Sequence, residues 1–297
     1  MTSVAAPVRQ SRSGLLHALL AASRPLSWVN TAYPFAAAYL LTGGRVDLVL
    51  VVGTVWLLVP YNLLMYGVND VFDYESDLRN DRKGGVEGAI LPPKWHRATL
   101  WAAGLVNAPF VIALALLGGW ASAAVLAVVV FAVVAYSAPG LRFKERPFLD
   151  SVASSTHFAG PAMLGLALSP DPLDTVAVAA VAGFFLWGMA SQAFGAVQDI
   201  VPDREAGIGS VATALGAAPT VRLAVGLYAA AGVVLLGTGW PGALAALLVL
   251  PYMLNLVPSL SLSDERAAEA NAGWRRFLWL NYVTGFLVTQ LFIWANL

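Results

Sequence analysis

Asn69–Asp81 reads Asn-Asp-Val-Phe-Asp-Tyr-Glu-Ser-Asp-Leu-Arg-Asn-Asp and follows directly on a long apolar run. Asp70, Asp73 and Asp77 stand at i, i+3 and i+7, a spacing that predicts one face of a helix. Three carboxylates on one face repel each other unless positive charge sits among them. The donors are hard oxygens and the chain has no cysteine. That combination suits Mg2+, which is held by one or two carboxylates together with substrate phosphates. The plainer alternative is a solvated, acidic helix end.

The surrounding sequence favours a membrane setting. Of the 297 residues, 59% are hydrophobic and only 11% are charged, against roughly 25% charged in a soluble domain. Mean hydropathy is +0.71. These values predict an all-α, polytopic membrane protein. The formal net charge is zero, so nothing draws the chain as a whole to nucleic acid. The lack of cysteine excludes disulfides, a thiolate nucleophile and a zinc–thiolate site. Met1–Ser13 is polar and basic without an early apolar region and cleavage site. It reads as part of a cytoplasmic tail, residues 1–23, and not as a signal peptide.

Nine apolar spans approach the ~20 residues a bilayer requires. They cover roughly 24–42, 47–69, 98–118, 120–138, 149–168, 175–197, 220–237, 241–260 and 277–296. Tight turns at 118–122 and 237–242 force antiparallel neighbours. With these spans, 16 of the 17 basic residues fall on the side of the N-terminus, and only Arg45 lies opposite. The positive-inside rule then places the N-terminus in the cytoplasm and the C-terminus outside. Most acidic residues share the cytoplasmic side, the exceptions being Asp47, Asp171 and Asp174. A surface polar on one side only suggests a mouth over a membrane-embedded cavity.

The sixth span ends much as the second does. Gln192, Asp199 and Asp203 share a helical face, the two aspartates in a segment running Gln-Asp-Ile-Val-Pro-Asp-Arg-Glu over 198–205. The two acidic ends lie four spans apart, as do two basic loops. We therefore expect one domain over 1–297, built as two four-helix units plus a ninth helix. Arg82 and Lys83 follow the first acidic motif. Arg142 and Lys144 follow Tyr136-Ser-Ala-Pro139. These four are the cations expected at a diphosphate, since Arg offers paired contacts and Lys a point charge. The alternative for each is a topology signal. Asn62, Tyr66 and Asn69 extend the acidic stripe into the span. Asn30, Gln192, Gln198 and His157 are further polar candidates for substrate contact, each with a packing role as the alternative.

Asn69-Asp70-x-x-Asp73-x-x-x-Asp77 paired with Asp199-x-x-x-Asp203 resembles the double signature of UbiA-type intramembrane prenyltransferases. The nine-span layout agrees over nearly the whole chain. The resemblance is closer still to the lycopene elongase/hydratase branch. It is carried by Ser23–Phe35, Asn69–Asp77, Arg82–Ala89, Tyr136–Pro139, Leu141–Phe148 and Phe185–Gln192.

That resemblance implies Mg2+ and a prenyl diphosphate bound by Asp70, Asp73, Asp77, Asp199 and Asp203, with a basic clamp at Arg142 and Lys144. It implies dimethylallyl diphosphate as donor and a lycopene-like polyene as acceptor. Asp73, Tyr136 and His157 are candidates for deciding whether the final cation loses a proton or takes up water. The implied location is a bacterial cell membrane, with the site facing the cytoplasm and a carotenoid-pathway enzyme as a possible partner. Two rivals stand beside this reading. One is a related enzyme with an aromatic acceptor, such as a quinone precursor or haem. The other is a cation-coupled transporter, which calls for ionisable groups near the midplane rather than at one mouth.

Overall fold

The structure is a computed structural model that describes residues 14–78, 90–171 and 173–295. Among these residues it is entirely helical and has no strand. A short helix, Leu15–Ala22, and a 3-10 turn, Pro25–Ser27, lead into α1 (Trp28–Leu41). The long helices that follow are α2 (Leu48–Phe72), α3 (Pro93–Leu117), α4 (Trp120–Ser137) and α5 (Leu149–Leu168). After them come α6 (Thr175–Val197), α7 (Ala217–Thr238), α8 (Gly242–Ser259) and α9 (Asp264–Ala295).

Seven of these, α2–α4 and α6–α9, are long and apolar enough to cross a membrane. The other two differ for evident reasons. Helix α1 has only 14 residues. Helix α5 carries Asp150, Ser151, Ser154, Ser155, Thr156 and His157 among its 20. The ends also depart from the hydropathy reading. Residues 264–270, expected in a loop, form a 3-10 stretch that runs straight into the last helix. Helix α8 is 3-10 over Gly242–Val249 before it becomes α-helical.

Apolar side chains gather in two cores. One joins Phe35, Trp56, Leu57, Tyr61, Leu126 and Leu164. The other joins Phe194, Ile200, Val221, Tyr228, Tyr252 and Phe277. Helix α5 lies between them, packed on α1, α4 and α6. Glycine makes this close: a Cβ on Gly165 would sit 2.5 Å from the Phe35 carbonyl, and one on Gly188 would strike the Ser155 hydroxyl. Small residues at helix crossings are how membrane bundles bring backbones together.

Helix α2 is broken where it matters most. Pro60 has no N–H to donate, so the helix is interrupted at Val59. Inside a bilayer the freed carbonyls need partners. Asn62, buried, donates to Leu57 and Leu58, and Thr31 donates to Leu57. Asn107 donates to Pro60 at 2.6 Å and accepts from the Trp56 indole at 2.7 Å. A π-turn over Leu63–Gly67 then shifts the register before the acidic motif begins. Asn62, expected on the acidic stripe, is therefore a brace for the break.

Candidate active site

The carboxylates of the first motif are buried: Asp70, Asp73 and Asp77 are 1%, 7% and 6% exposed. They do not lie on one uninterrupted helix. The helix ends at Phe72, Asp73 adopts φ −101° and ψ 1°, and a new turn runs over Tyr74–Asp77. The second motif has the same form. Helix α6 ends at Val197, Asp199 adopts φ −100° and ψ 2°, and a new helix covers Ile200–Ala206. This is the sparsely populated bridge between the helical and extended regions, where many active-site residues sit. Aspartate suits it, because its side chain competes with helical backbone bonds. The expectation of a continuous helical face is thus corrected in both halves. Each motif breaks at its Asp and restarts, with Asp77 and Asp203 donating their amides to Asp73 and Asp199 carbonyls at 2.8 and 2.9 Å.

Buried acids demand cations nearby. Arg24 Nη2 lies 3.0 Å from Asp70 Oδ1, and its guanidinium is 4.1 Å from the centre of the Tyr66 ring. Lys144 Nζ donates to Asp73 Oδ1. Arg142 Nη2 lies 3.8 Å from the same oxygen and is paired with Glu145. That pairing holds the Glu145 carboxyl below the usual glutamate range. Arg24 and Arg142 both have left-handed backbones, with φ +50° and +40°. Such a conformation costs a non-glycine residue about 1–2 kcal/mol. The fold thus holds two strained arginines against two buried aspartates.

The other residues named from sequence fall into three groups. Asn69 Oδ1 accepts from the Ser137 hydroxyl at 2.8 Å, at the end of α4. Tyr136 packs edge-on against buried His157, with ring centres 4.8 Å apart, and lies within electrostatic reach of Asp73, Asp150 and Arg24. These residues border the first motif. Gln192 accepts from Ser154 at 2.9 Å, linking α6 to α5. Gln198 accepts from Asn271 at 2.6 Å and donates to Gly195, so both ends of its amide are bonded within the bundle. Asn30 is exposed on α1. Arg82 and Lys83 lie outside the described residues, as does most of the tail.

Arg24, Ser137, Ser154 and Glu145 were not singled out for the site. Arg24 had a signal, since Arg-Pro opening an apolar span is an unusual place for charge. Its partner is 46 positions away, and no local pattern indicates that distance.

Among the described residues, no three acidic or imidazole groups gather closely enough to hold a metal ion by themselves. The donor set fits Mg2+ in its other habit, bound through one or two carboxylates and completed by water and phosphate oxygens. Asp70 and Asp73 are buried all-oxygen donors of that kind.

Residues 31–281 match the model of the UbiA prenyltransferase family. The chain belongs to that family. It is 52% identical over 295 residues to the C(50) beta-cyclic carotenoids biosynthesis protein LbtBC of Dietzia sp. (strain CQ4), covering 99% of this chain and 68% of that protein. It is 48% identical over 275 residues to a lycopene elongase/hydratase of Corynebacterium glutamicum, covering 93% and 96%. Among solved structures, that of a UbiA homolog from Archaeoglobus fulgidus bound to DMAPP and Mg2+ superimposes with a TM-score of 0.67. The match covers 90% of this chain and 98% of that one at 16% identity, a likeness of fold. This UbiA-family prenyltransferase is therefore an integral membrane enzyme with two acidic helix breaks.

Proposed function

We propose that this UbiA-family protein transfers C5 dimethylallyl units from dimethylallyl diphosphate to the ends of lycopene, with hydration possible at the last step, to give C45 and C50 carotenoids. The observation that carries the donor side is the meeting of buried Asp70 and Asp73 with Arg24, Lys144 and Arg142. The acceptor rests on the relatives, which are lycopene elongase/hydratases at about half identity.

Asp70, Asp73, Asp77, Asp199 and Asp203 would hold Mg2+ together with the diphosphate. The ion would draw electron density from the leaving group. Lys144 and Arg142 bind the remaining negative charge where it develops, which is where fixed charge accelerates a reaction most. The donor C–O bond breaks, and its electron pair leaves with the diphosphate. An aromatic ring beside the cation would steady it by about 0.5–2 kcal/mol, and Tyr136 is our candidate, since the Tyr66 ring already carries the Arg24 guanidinium. A terminal alkene of lycopene then forms the new C–C bond. The resulting tertiary cation loses a proton, or takes up water and then loses a proton. Asp73, Tyr136 and His157 remain our candidates for that choice. The site must exclude water until that last stage; His157 is buried in α5.

We further propose nine spans, a cytoplasmic N-terminus and site, an external C-terminus, and location in a bacterial plasma membrane. A carotenoid-pathway enzyme is the partner we would look for. Product analysis tests the whole reading. The chain is expressed in a lycopene-accumulating bacterium that makes dimethylallyl diphosphate, and the pigments are weighed by mass spectrometry. Lycopene heavier by one or two C5 units is expected. Unchanged lycopene with the protein present in the membrane would reject the acceptor and point to an aromatic one.

A further inference from the structure

We propose that Asp150 is a positioning residue. It pins the segment that follows the second acidic motif to the root of the basic loop, and so fixes Lys144 and Arg142 over the first motif. The proposal rests on the diphosphate reading above and adds a residue to it.

Asp150 opens α5 and is 1% exposed. Its Oδ1 accepts from the Ser151 amide at 2.8 Å, and its Oδ2 accepts from the Val211 amide at 2.9 Å, 61 positions away. Val211 begins a short helix, Val211–Leu215, that already has its own cap. There the Ser210 hydroxyl accepts from the Thr213 amide, and Thr213 returns the bond. The long-range bond to Asp150 is therefore more than a local cap. A charged acceptor out of water makes one of the stronger hydrogen bonds a protein can form.

A second contact joins the same two segments. A Cβ on Gly209 would lie 2.5 Å from the Glu145 carbonyl oxygen, too close for any side chain without backbone movement. Residue 209 thus rests directly on the loop backbone beside Lys144. Residues 208–211 are in turn fixed to the second motif, because the Ile208 amide donates to the Asp203 carbonyl at 2.8 Å. The far end of the segment is held by Asp264, which accepts from the Ala217 amide at 2.6 Å and pairs with Arg204 at 2.6 Å. That second anchor is partly exposed, whereas Asp150 is not. The backbone therefore runs as a braced path from Asp199 and Asp203, through Gly209 and Val211, to Glu145 and Lys144, and so to Asp73. Asp150 is the buried rivet on that path.

The test is Asp150→Asn in the full-length protein purified into lipid nanodiscs. Asparagine keeps the size but sets an NH2 group against the amide of either Val211 or Ser151. Two readouts are taken: hydrogen exchange over residues 140–148 and 208–215, and the KM for dimethylallyl diphosphate measured separately from kcat. Faster exchange in both segments is expected. So is a KM raised roughly tenfold, the low end of what losing an outer partner of a site costs, while KM for the polyene is kept. Unchanged exchange and KM, or a lower melting temperature with unchanged KM, would overturn the proposal. If Asp150→Asn does not fold, Gly209→Ala disturbs the second contact between the same two segments, at the Glu145 carbonyl, and is judged by the same outcomes. If the wild type shows no turnover of dimethylallyl diphosphate, the diphosphate reading fails. Exchange at 140–148 then decides the pinning alone, and unchanged exchange rejects it.

Discussion

Arg24 reaches from just before helix α1 to Asp70, with 3.0 Å between guanidinium and carboxylate, and lies against the Tyr66 ring as it does so. Asp70 is 1% exposed. An ion pair this deep is conditional: removing one partner withdraws compensation from a buried charge, at up to about 3–5 kcal/mol in a fully enclosed site. Arg24 is partly exposed, so the lower end applies.

Arg24→Ala should therefore lower stability by up to about 3 kcal/mol and raise the KM for the prenyl diphosphate. Arg24→Ala combined with Asp70→Asn should recover most of the stability and none of the activity. Melting curves in detergent, set beside turnover, check both halves. Full stability in Arg24→Ala alone would show that Asp70 is compensated without Arg24.

Lys144→Ala removes the ammonium that meets Asp73. If this lysine binds the leaving diphosphate, its loss should lower kcat/KM by roughly 10²–10³, as expected for one fixed donor at a developing charge. The effect should fall on the diphosphate and leave polyene affinity alone. A rate within twofold of wild type would reduce Lys144 to a structural partner of Asp73.

Glu145 gives a pH signature. Its hydrogen bond to Arg142, partly offset by burial, lowers its carboxyl pKa in the folded chain. The folded state thus binds the proton less readily than the unfolded chain does. The pair's contribution is in full force above the usual glutamate range, and it is lost as pH falls through the depressed folded value. The melting-temperature gap between wild type and Glu145→Gln should hold between pH 6 and 8 and shrink below the ordinary glutamate range. A gap that widens on acidification would contradict the pairing.

Hydropathy alone made the helical membrane class legible, because a bilayer imposes length and apolarity on each crossing helix. It could not reveal the break at Val59–Pro60, since the carbonyls freed there are satisfied by Asn62, Thr31 and Asn107, and the last two lie on other helices. Nor could it reveal the π-turn at Leu63–Gly67, which shifts the facing of every residue after it. The acidic motifs were visible as composition and spacing. Their geometry, two aspartates with nearly the same backbone angles at Asp73 and Asp199, was not. Arg24 and Asp150 escaped notice for a related reason. Each is defined by a partner dozens of residues away, and such pairings arise from packing.

The most direct test of the central claim uses purified protein in nanodiscs with lycopene, Mg2+ and isotope-labelled dimethylallyl diphosphate, comparing the wild type with Asp70→Asn. Label should appear in pigment of C45 and C50 mass for the wild type and be absent for the variant, with both proteins folded and inserted. Label transferred equally by a well-folded Asp70→Asn protein would contradict the account, because the buried carboxylate at the first acidic motif would then take no part in the transfer.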